Sequence, residues 1–233
     1  MGWYNLFREE LCLMLGLDPA TLISRIIVLL TAFSVHEFAH AWTADRYGDN
    51  TPRMNGRLTL NPLAHLDIMG SLMLIVAGFG WAKPVPVNPY ALGRRSPAAL
   101  MWVSLAGPLS NFLMAVLAAV PFKAGFVSLE AAINDTYYSG AHLLPSVPQF
   151  LFEFISVNLL LMLFNLIPLA PLDGDKIADY FFPPAWSRAL QNIRPYGPLI
   201  LMALLFVLPM VGVDIIGMVI TPPLLLLMRL LLG

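Results

Sequence analysis

A chain of 233 residues that is 58% hydrophobic and 12% charged cannot cover itself with a water-facing surface, for which about 25% charged residues is usual; it reads as an integral membrane protein. A formal net charge of −1 provides no basic field for nucleic acid, which is excluded as a partner, and no acidic tail for cationic ones. The single cysteine, Cys12, rules out an internal disulfide and a cysteine-built zinc site, so any metal must be held by histidine and carboxylate.

Residues 1–20 lack a basic n-region and a small-residue cleavage site, and are expected to lie as an amphipathic lead-in at the membrane interface. Three stretches, at about 22–44, 97–121 and 147–168, are long and apolar enough to cross a hydrocarbon layer of about 30 Å as helices. They predict an all-α polytopic membrane protein built on a three-helix core. Between the first two lies an insertion at about 53–92. Its apolar part, 68–81, is short for a span and has the length of a re-entrant or short buried element. The flanking NGRLTLNPLAHLD and GWAKPVPVNPYAL are rich in Gly, Pro and Asn and are expected to be irregular or strand-like. Val85 and Val87 alternate there with Pro84, Pro86 and Asn88, as an edge strand would. The run from Tyr196 to Gly233 carries Pro209, Gly212 and Asp214 near its middle, and so divides into two transmembrane helices at about 196–211 and 214–232. The expected layout is an interfacial segment over 1–20, a core over 21–180 and C-terminal transmembrane helices over 181–233.

If 68–81 does not cross, Arg46, Arg53, Arg57, Lys83, Arg94, Arg95, Lys176, Arg188 and Arg194 share one side, and the opposite loop holds only Lys123 with Glu130 and Asp135. Positive loops favour the cytoplasm. If it does cross, the positive residues divide evenly and charge decides nothing.

The first core stretch contains His36-Glu37-Phe38-Ala39-His40. A turn of 100° per residue sets His36 and His40 about 40° apart on one helix face, so both imidazoles can meet one metal ion. Glu37 is offset to the side, where it can act on a water without occupying the coordination shell. The bland alternative is three polar residues packed between helices. Intramembrane carboxylates and imidazoles are costly, however, and mark function by default. A catalytic zinc needs a third protein ligand and an open position. Asp173 is the candidate, because it follows the third core stretch in Asn165-Leu166-Ile167-Pro168-Leu169-Ala170-Pro171-Leu172-Asp173-Gly174, where two prolines end the helix.

These two motifs, together with Ala106-Gly107-Pro108-Leu109-Ser110-Asn111 between them, resemble the site-2 protease family of intramembrane zinc metalloproteases, peptidase family M50, over roughly residues 22–180. The region from Gly80 to Asn88 further resembles the compact branch without a PDZ domain. The resemblance implies that His36, His40 and Asp173 bind one Zn2+ per chain while Glu37 activates water. It implies a membrane-protein substrate cleaved in or beside a transmembrane helix. A multi-pass protein of a prokaryotic plasma membrane is expected, with its site toward the cytoplasm, where the charge asymmetry puts the positive loops. One departure from the family pattern, Asp175 in place of a second glycine, makes Asp175 a rival ligand.

An oxyanion needs aimed donors, and Asn165 and Asn111 are the side-chain amides available. Either is expected to serve there, or to hydrogen-bond between helices. His65 is expected to orient a ligand or touch substrate, or else to be a loop histidine satisfied by backbone. Pro84, Val85, Pro86, Val87 and Asn88 are expected to offer an edge to an unwound substrate segment. Asp67 is expected to cap a helix start. The reading from another class is a transporter or metal-binding protein that uses the same intramembrane residues.

Overall fold

The computed structural model describes residues 19–67, 70, 82–137 and 143–233. The interfacial segment expected over 1–20, Cys12 and most of the 68–81 element lie outside these residues, save that Pro19 and Ala20 already belong to the first helix.

Among the described residues five helices are long and apolar enough to cross a membrane. The core is α1 (Pro19–Arg46), α4 (Ala99–Lys123) and α6 (Val147–Asn165). Each lies within a few residues of its expected position. α6 stops at Asn165, three residues early, because the residue before Pro168 is steered away from helical torsions. Its start is fixed by Ser146, whose side chain accepts from the Gln149 N–H.

The seam between α1 and α4 follows from spacing. In α1, Val28, Ala32, His36, His40 and Ala44 recur every four residues and are all buried. In α4 the matching row is Ala99, Val103, Gly107, Asn111, Ala115 and Ala119, again all buried. Rows at four-residue spacing form the ridges by which helices interlock, and small residues in both let the backbones approach closely, as membrane helices favour. The histidines sit within this seam. α6 closes the third side with Ile155, Leu159 and Met162 against Ala115, Ala119 and Phe122.

Four shorter pieces join the spans: α2 (Thr51–Met54), α3 (Pro89–Arg95), α5 (Leu129–Tyr137) and α7 (Asp173–Phe181). The sequence reading left all four as connections. α8 runs continuously from Pro184 to Met210, twelve residues earlier than the expected 196, because the turn at Arg194–Tyr196 tightens without breaking the helix. The break before α9 (Ile215–Leu232) falls where Pro209, Gly212 and Asp214 put it: Gly212 has φ +86° and Asp214 accepts from the Gly217 N–H at 2.8 Å. α9 packs on α4 and α6 through Leu224, Leu227, Met228 and Leu231.

The strand-like expectation for the insertion needs correction. Among the described residues there is no strand, only one isolated antiparallel bridge between Leu66 and Ala82. Pro84 and Pro86 have no N–H to donate to a ladder, and residues 83–88 form a strap held by tethers instead. The Lys83 N–H donates to the His65 carbonyl at 2.7 Å, and the buried Arg57 donates to the Ala64 and Lys83 carbonyls. At the other end the Asn88 N–H donates to Asp49 Oδ2 at 2.6 Å. Asp67 accepts from the Gly70 N–H at 2.8 Å.

Candidate metal centre

α1 brings His36 and His40 to one face, with ring centroids 4.6 Å apart and planes at 83°. Their tautomers follow from their partners. His40 Nδ1 lies 2.7 Å from the Val103 carbonyl oxygen; a carbonyl only accepts, so this nitrogen carries the proton and Nε2 keeps its lone pair. His36 Nδ1 lies 2.6 Å from Asn111 Oδ1. Asn111 Nδ2 donates to Asn158 Oδ1 at 2.9 Å, and Asn158 Nδ2 donates to the Phe154 carbonyl at 2.8 Å. The fixed carbonyl orients both amides in turn, so His36 Nδ1 is also a donor and its Nε2 a bare acceptor.

The two Nε2 atoms therefore face each other across 3.0 Å, and Asp173 Oδ2 lies 3.2 Å from each. Three buried acceptors converge with no donor among them, an arrangement that repels itself unless a cation lies between them. Tetrahedral zinc with bonds of 2.0–2.1 Å separates its ligands by about 3.3 Å, and the observed triangle has that size. Among the described residues His36, His40 and Asp173 are a group that could hold a metal ion. Two imidazoles and one carboxylate are a catalytic donor set, with a fourth position left open.

Two glycines make the convergence possible. A Cβ on Gly107 would lie 2.4 Å from His40 Nε2 and 2.6 Å from His36 Nε2, so only a residue without one lets α4 pass this close to the ligands. A Cβ on Gly174 would lie 2.3 Å from the Ile167 carbonyl oxygen, so the loop that returns Asp173 to the histidines closes only around glycine.

Glu37 is buried beside the ligands, and its Oε2 accepts from the Val85 N–H at 3.0 Å. The strap thus lies over the carboxylate, which its central amide engages. Asn165 is half-buried with Nδ2 donating to the Leu161 carbonyl at 3.0 Å, which commits one of its two N–H groups.

Other expectations are corrected by placement. Asn111 is fully buried on the Nδ1 side of the His36 ring, on the far side of the imidazole from Nε2 and Asp173, so it holds the ring and does not face that space. His65 is 1% exposed, its Nε2 donating to the Thr59 carbonyl, so it does not face substrate; its own carbonyl anchors the strap at Lys83. Asn88 is occupied too: its N–H is on Asp49, and its Oδ1 caps α3 by accepting from Tyr90 and Ala91. Asp175, the rival ligand, is 3% exposed and faces Arg194 at 2.8 Å instead of the histidines.

The sequence reading missed Asn158, the Val103 carbonyl and Asp49, and quoted Gly107 only as part of a motif. Asn158 carried a signal, being a lone amide deep in an apolar span. The Val103 carbonyl, a backbone group, carried none.

Residues 24–208 match the model of "Peptidase family M50". Among curated proteins, "Putative zinc metalloprotease YwhC" of Bacillus subtilis is 40% identical over 185 residues, which cover 79% of this chain and 80% of that protein. Rip2 of Mycolicibacterium smegmatis, described in the same words, is 34% identical over 76% of this chain and 64% of its own length. Rip2 of Mycobacterium tuberculosis is 30% identical over 77% and 65%. This chain thus spans less than two thirds of the length of the Rip2 proteins. No solved structure matches it.

Proposed function

The chain belongs to peptidase family M50, and from that premise we propose that it is an intramembrane zinc metalloprotease whose general base is Glu37 and whose substrates are membrane proteins cut in or beside a transmembrane helix. The observation that carries this reading is the convergence of two bare imidazole nitrogens and the Asp173 carboxylate at 3.0–3.2 Å within a seam between two helices long and apolar enough to span a membrane.

Zinc, when bound, supplies a Lewis acid that acidifies water and polarises a carbonyl. The residues do the rest. His36 and His40 are presented with their lone pairs inward by Asn111 and by the Val103 carbonyl. Glu37 takes the proton of the attacking water and passes it to the leaving amine. With one carboxylate oxygen tied to the Val85 N–H, its other oxygen is free for that transfer. The uncommitted N–H of Asn165 is the side-chain donor available to the developing oxyanion.

Helical substrate must unwind before its carbonyl is reachable, and the Lys83–Asn88 strap is the edge along which we expect it to extend. Val87 carries the free amide of that edge; Pro84 and Pro86 shape it without donating, and the Val85 amide already serves Glu37. The basic residues Arg46, Arg53, Arg57, Arg94 and Arg95 gather at the metal-bearing end of α1 and α4, against Arg25 and Lys123 toward the other, which supports a site facing the cytoplasm of a prokaryotic cell.

The test is to reconstitute the protein in lipid vesicles with a tagged single-span peptide and read the cut bond by product mass. A chelator-sensitive cut in or beside the apolar segment is expected. Cleavage of water-soluble peptides alone would overturn the intramembrane reading.

A further inference from the structure

We infer that Arg194 is a positioning residue of the metal centre: from α8 it grips the outer face of α7 and so holds the Asp173 carboxylate against the two histidines. The inference rests on the metal-centre reading and goes beyond it.

Asp173 is the first residue of α7, a nine-residue helix whose N-cap, Leu172, makes no side-chain capping bond. A ligand at the unanchored tip of so short a helix needs holding from elsewhere. Asp175 and Asp179 are four apart and share one face of α7. Asp173 precedes Asp175 by two residues, about 200° around the helix, so that face points away from the histidines. Arg194 occupies it. Its Nε lies 3.0 Å from Asp175 Oδ1 and 2.8 Å from Oδ2, and its Nη2 donates to Asp179 Oδ2 at 2.6 Å. Ser187 and Gln191, also on α8, donate to Asp179 as well. Burial pushes the Asp179 carboxyl up, but the bonds from Ser187, Arg194 and Gln191 outweigh it and keep it below the ordinary range, consistent with an ionised clamp.

α8 also meets the chain on the other side of the ligand. A Cβ on Gly197 would fall 2.2 Å from the Ala170 carbonyl oxygen, so helix and loop are in backbone contact there. α8 thus touches the polypeptide three residues before Asp173 and two residues after it. Asp175 is 3% exposed, and without its guanidinium a buried charge would be left unpaired. The start of α7 would shift to reach water, carrying Asp173 with it. Groups that orient metal ligands in this way typically change metal affinity by 10- to 100-fold.

The experiment is a Co2+ titration of the full-length protein in detergent, followed by visible absorption, which reads the ligand field without requiring catalysis. Arg194→Gln is expected to weaken Co2+ binding by about 10- to 100-fold and to change the absorption bands. Arg194→Lys, which keeps the charge and loses the planar fork, is expected to fall between Arg194→Gln and wild type. Gln191→Ala, which removes contacts to Asp179 and Ser187 but none to Asp175, is expected to match wild type. Wild-type affinity and spectrum in Arg194→Gln would overturn the inference, as would an equal loss in Gln191→Ala. Should Arg194→Gln not accumulate, Arg194→Lys decides, and wild-type behaviour in it overturns the inference. Wild-type protein that takes up no Co2+ would overturn the metal-centre reading itself, a distinguishable result.

Discussion

Gly107 and His40 approach each other so closely that a Cβ on the glycine would fall 2.4 Å from the imidazole Nε2. Gly107→Ala is therefore expected to displace the ligand rings and abolish zinc retention, while α4, gaining helix propensity of about 1 kcal/mol, stays folded. Zinc content by atomic absorption, with circular dichroism as the fold control, checks this. Full zinc occupancy in Gly107→Ala would contradict the geometry.

The relay from His36 through Asn111 and Asn158 to the Phe154 carbonyl makes a graded prediction. Asn111→Ala removes the acceptor that fixes the His36 tautomer, and is expected to lower zinc affinity by about 10- to 100-fold. Asn158→Ala leaves Asn111 in place but frees its amide to flip, so the loss is smaller. Competition against a chromophoric chelator orders the two. A larger effect from Asn158→Ala would show that the amide chain does not act through the histidine.

Val85 and Val87 lie two residues apart in the strap but differ in what their amides do, since the Val85 N–H donates to Glu37 Oε2. Val85→Pro deletes a hydrogen bond to a charged group worth about 1.5–3 kcal/mol. It is expected to cut kcat by roughly 10- to 100-fold with zinc retained. Val87→Pro removes a donor offered to substrate and is expected to raise KM. Steady-state kinetics on one transmembrane peptide separates the two outcomes. Identical kinetic defects would argue for a general disturbance of the strap.

Asp49 accepts from the Thr51 N–H at 3.0 Å and from the Asn88 N–H at 2.6 Å, tying the end of the strap to the turn after α1. Asp49→Ala leaves both amides without this buried acceptor, a loss of about 1–3 kcal/mol. Faster proteolytic nicking near residues 83–88, with unchanged zinc content, is the expected result; a nicking rate equal to wild type would contradict it.

The spans were legible because apolar length is a strong local signal, and the break before α9 was legible because Gly212 and Asp214 act through their own backbone and side chain. His36, Glu37 and His40 were readable because one helix fixes their spacing. The structure then brought Asp173 to them from another part of the chain. The sequence left two roles open for Asn111 and for His65, and offered Asn88 as part of an edge, because side-chain type says what a group can donate or accept, but not which partner takes it. Asn111 was spent on His36, His65 on Thr59, and Asn88 on Asp49 and α3. Of the two expectations for the strap, irregular or strand-like, the strand-like one failed because alternation around Pro84 and Pro86 looks like an edge, whereas its tethers, Asp49 and Arg57, lie far away in sequence. Arg194 was read for its charge alone, since nothing local marks it as reaching Asp175 nineteen residues earlier.

The central claim, that zinc held by His36, His40 and Asp173 hydrolyses membrane-embedded peptide bonds with Glu37 as base, is tested most directly by Glu37→Gln. Zinc content and cleavage of a tagged transmembrane peptide are measured side by side in wild type and variant. The account predicts about one zinc per chain in both, cleavage by wild type, and a loss of cleavage in Glu37→Gln of at least 100-fold, in keeping with the roughly 10²–10⁴-fold contribution of general acid–base catalysis. Zinc bound in both with cleavage undiminished in Glu37→Gln, or no cleavage by the zinc-loaded wild type across a broad panel of transmembrane peptides, would contradict it.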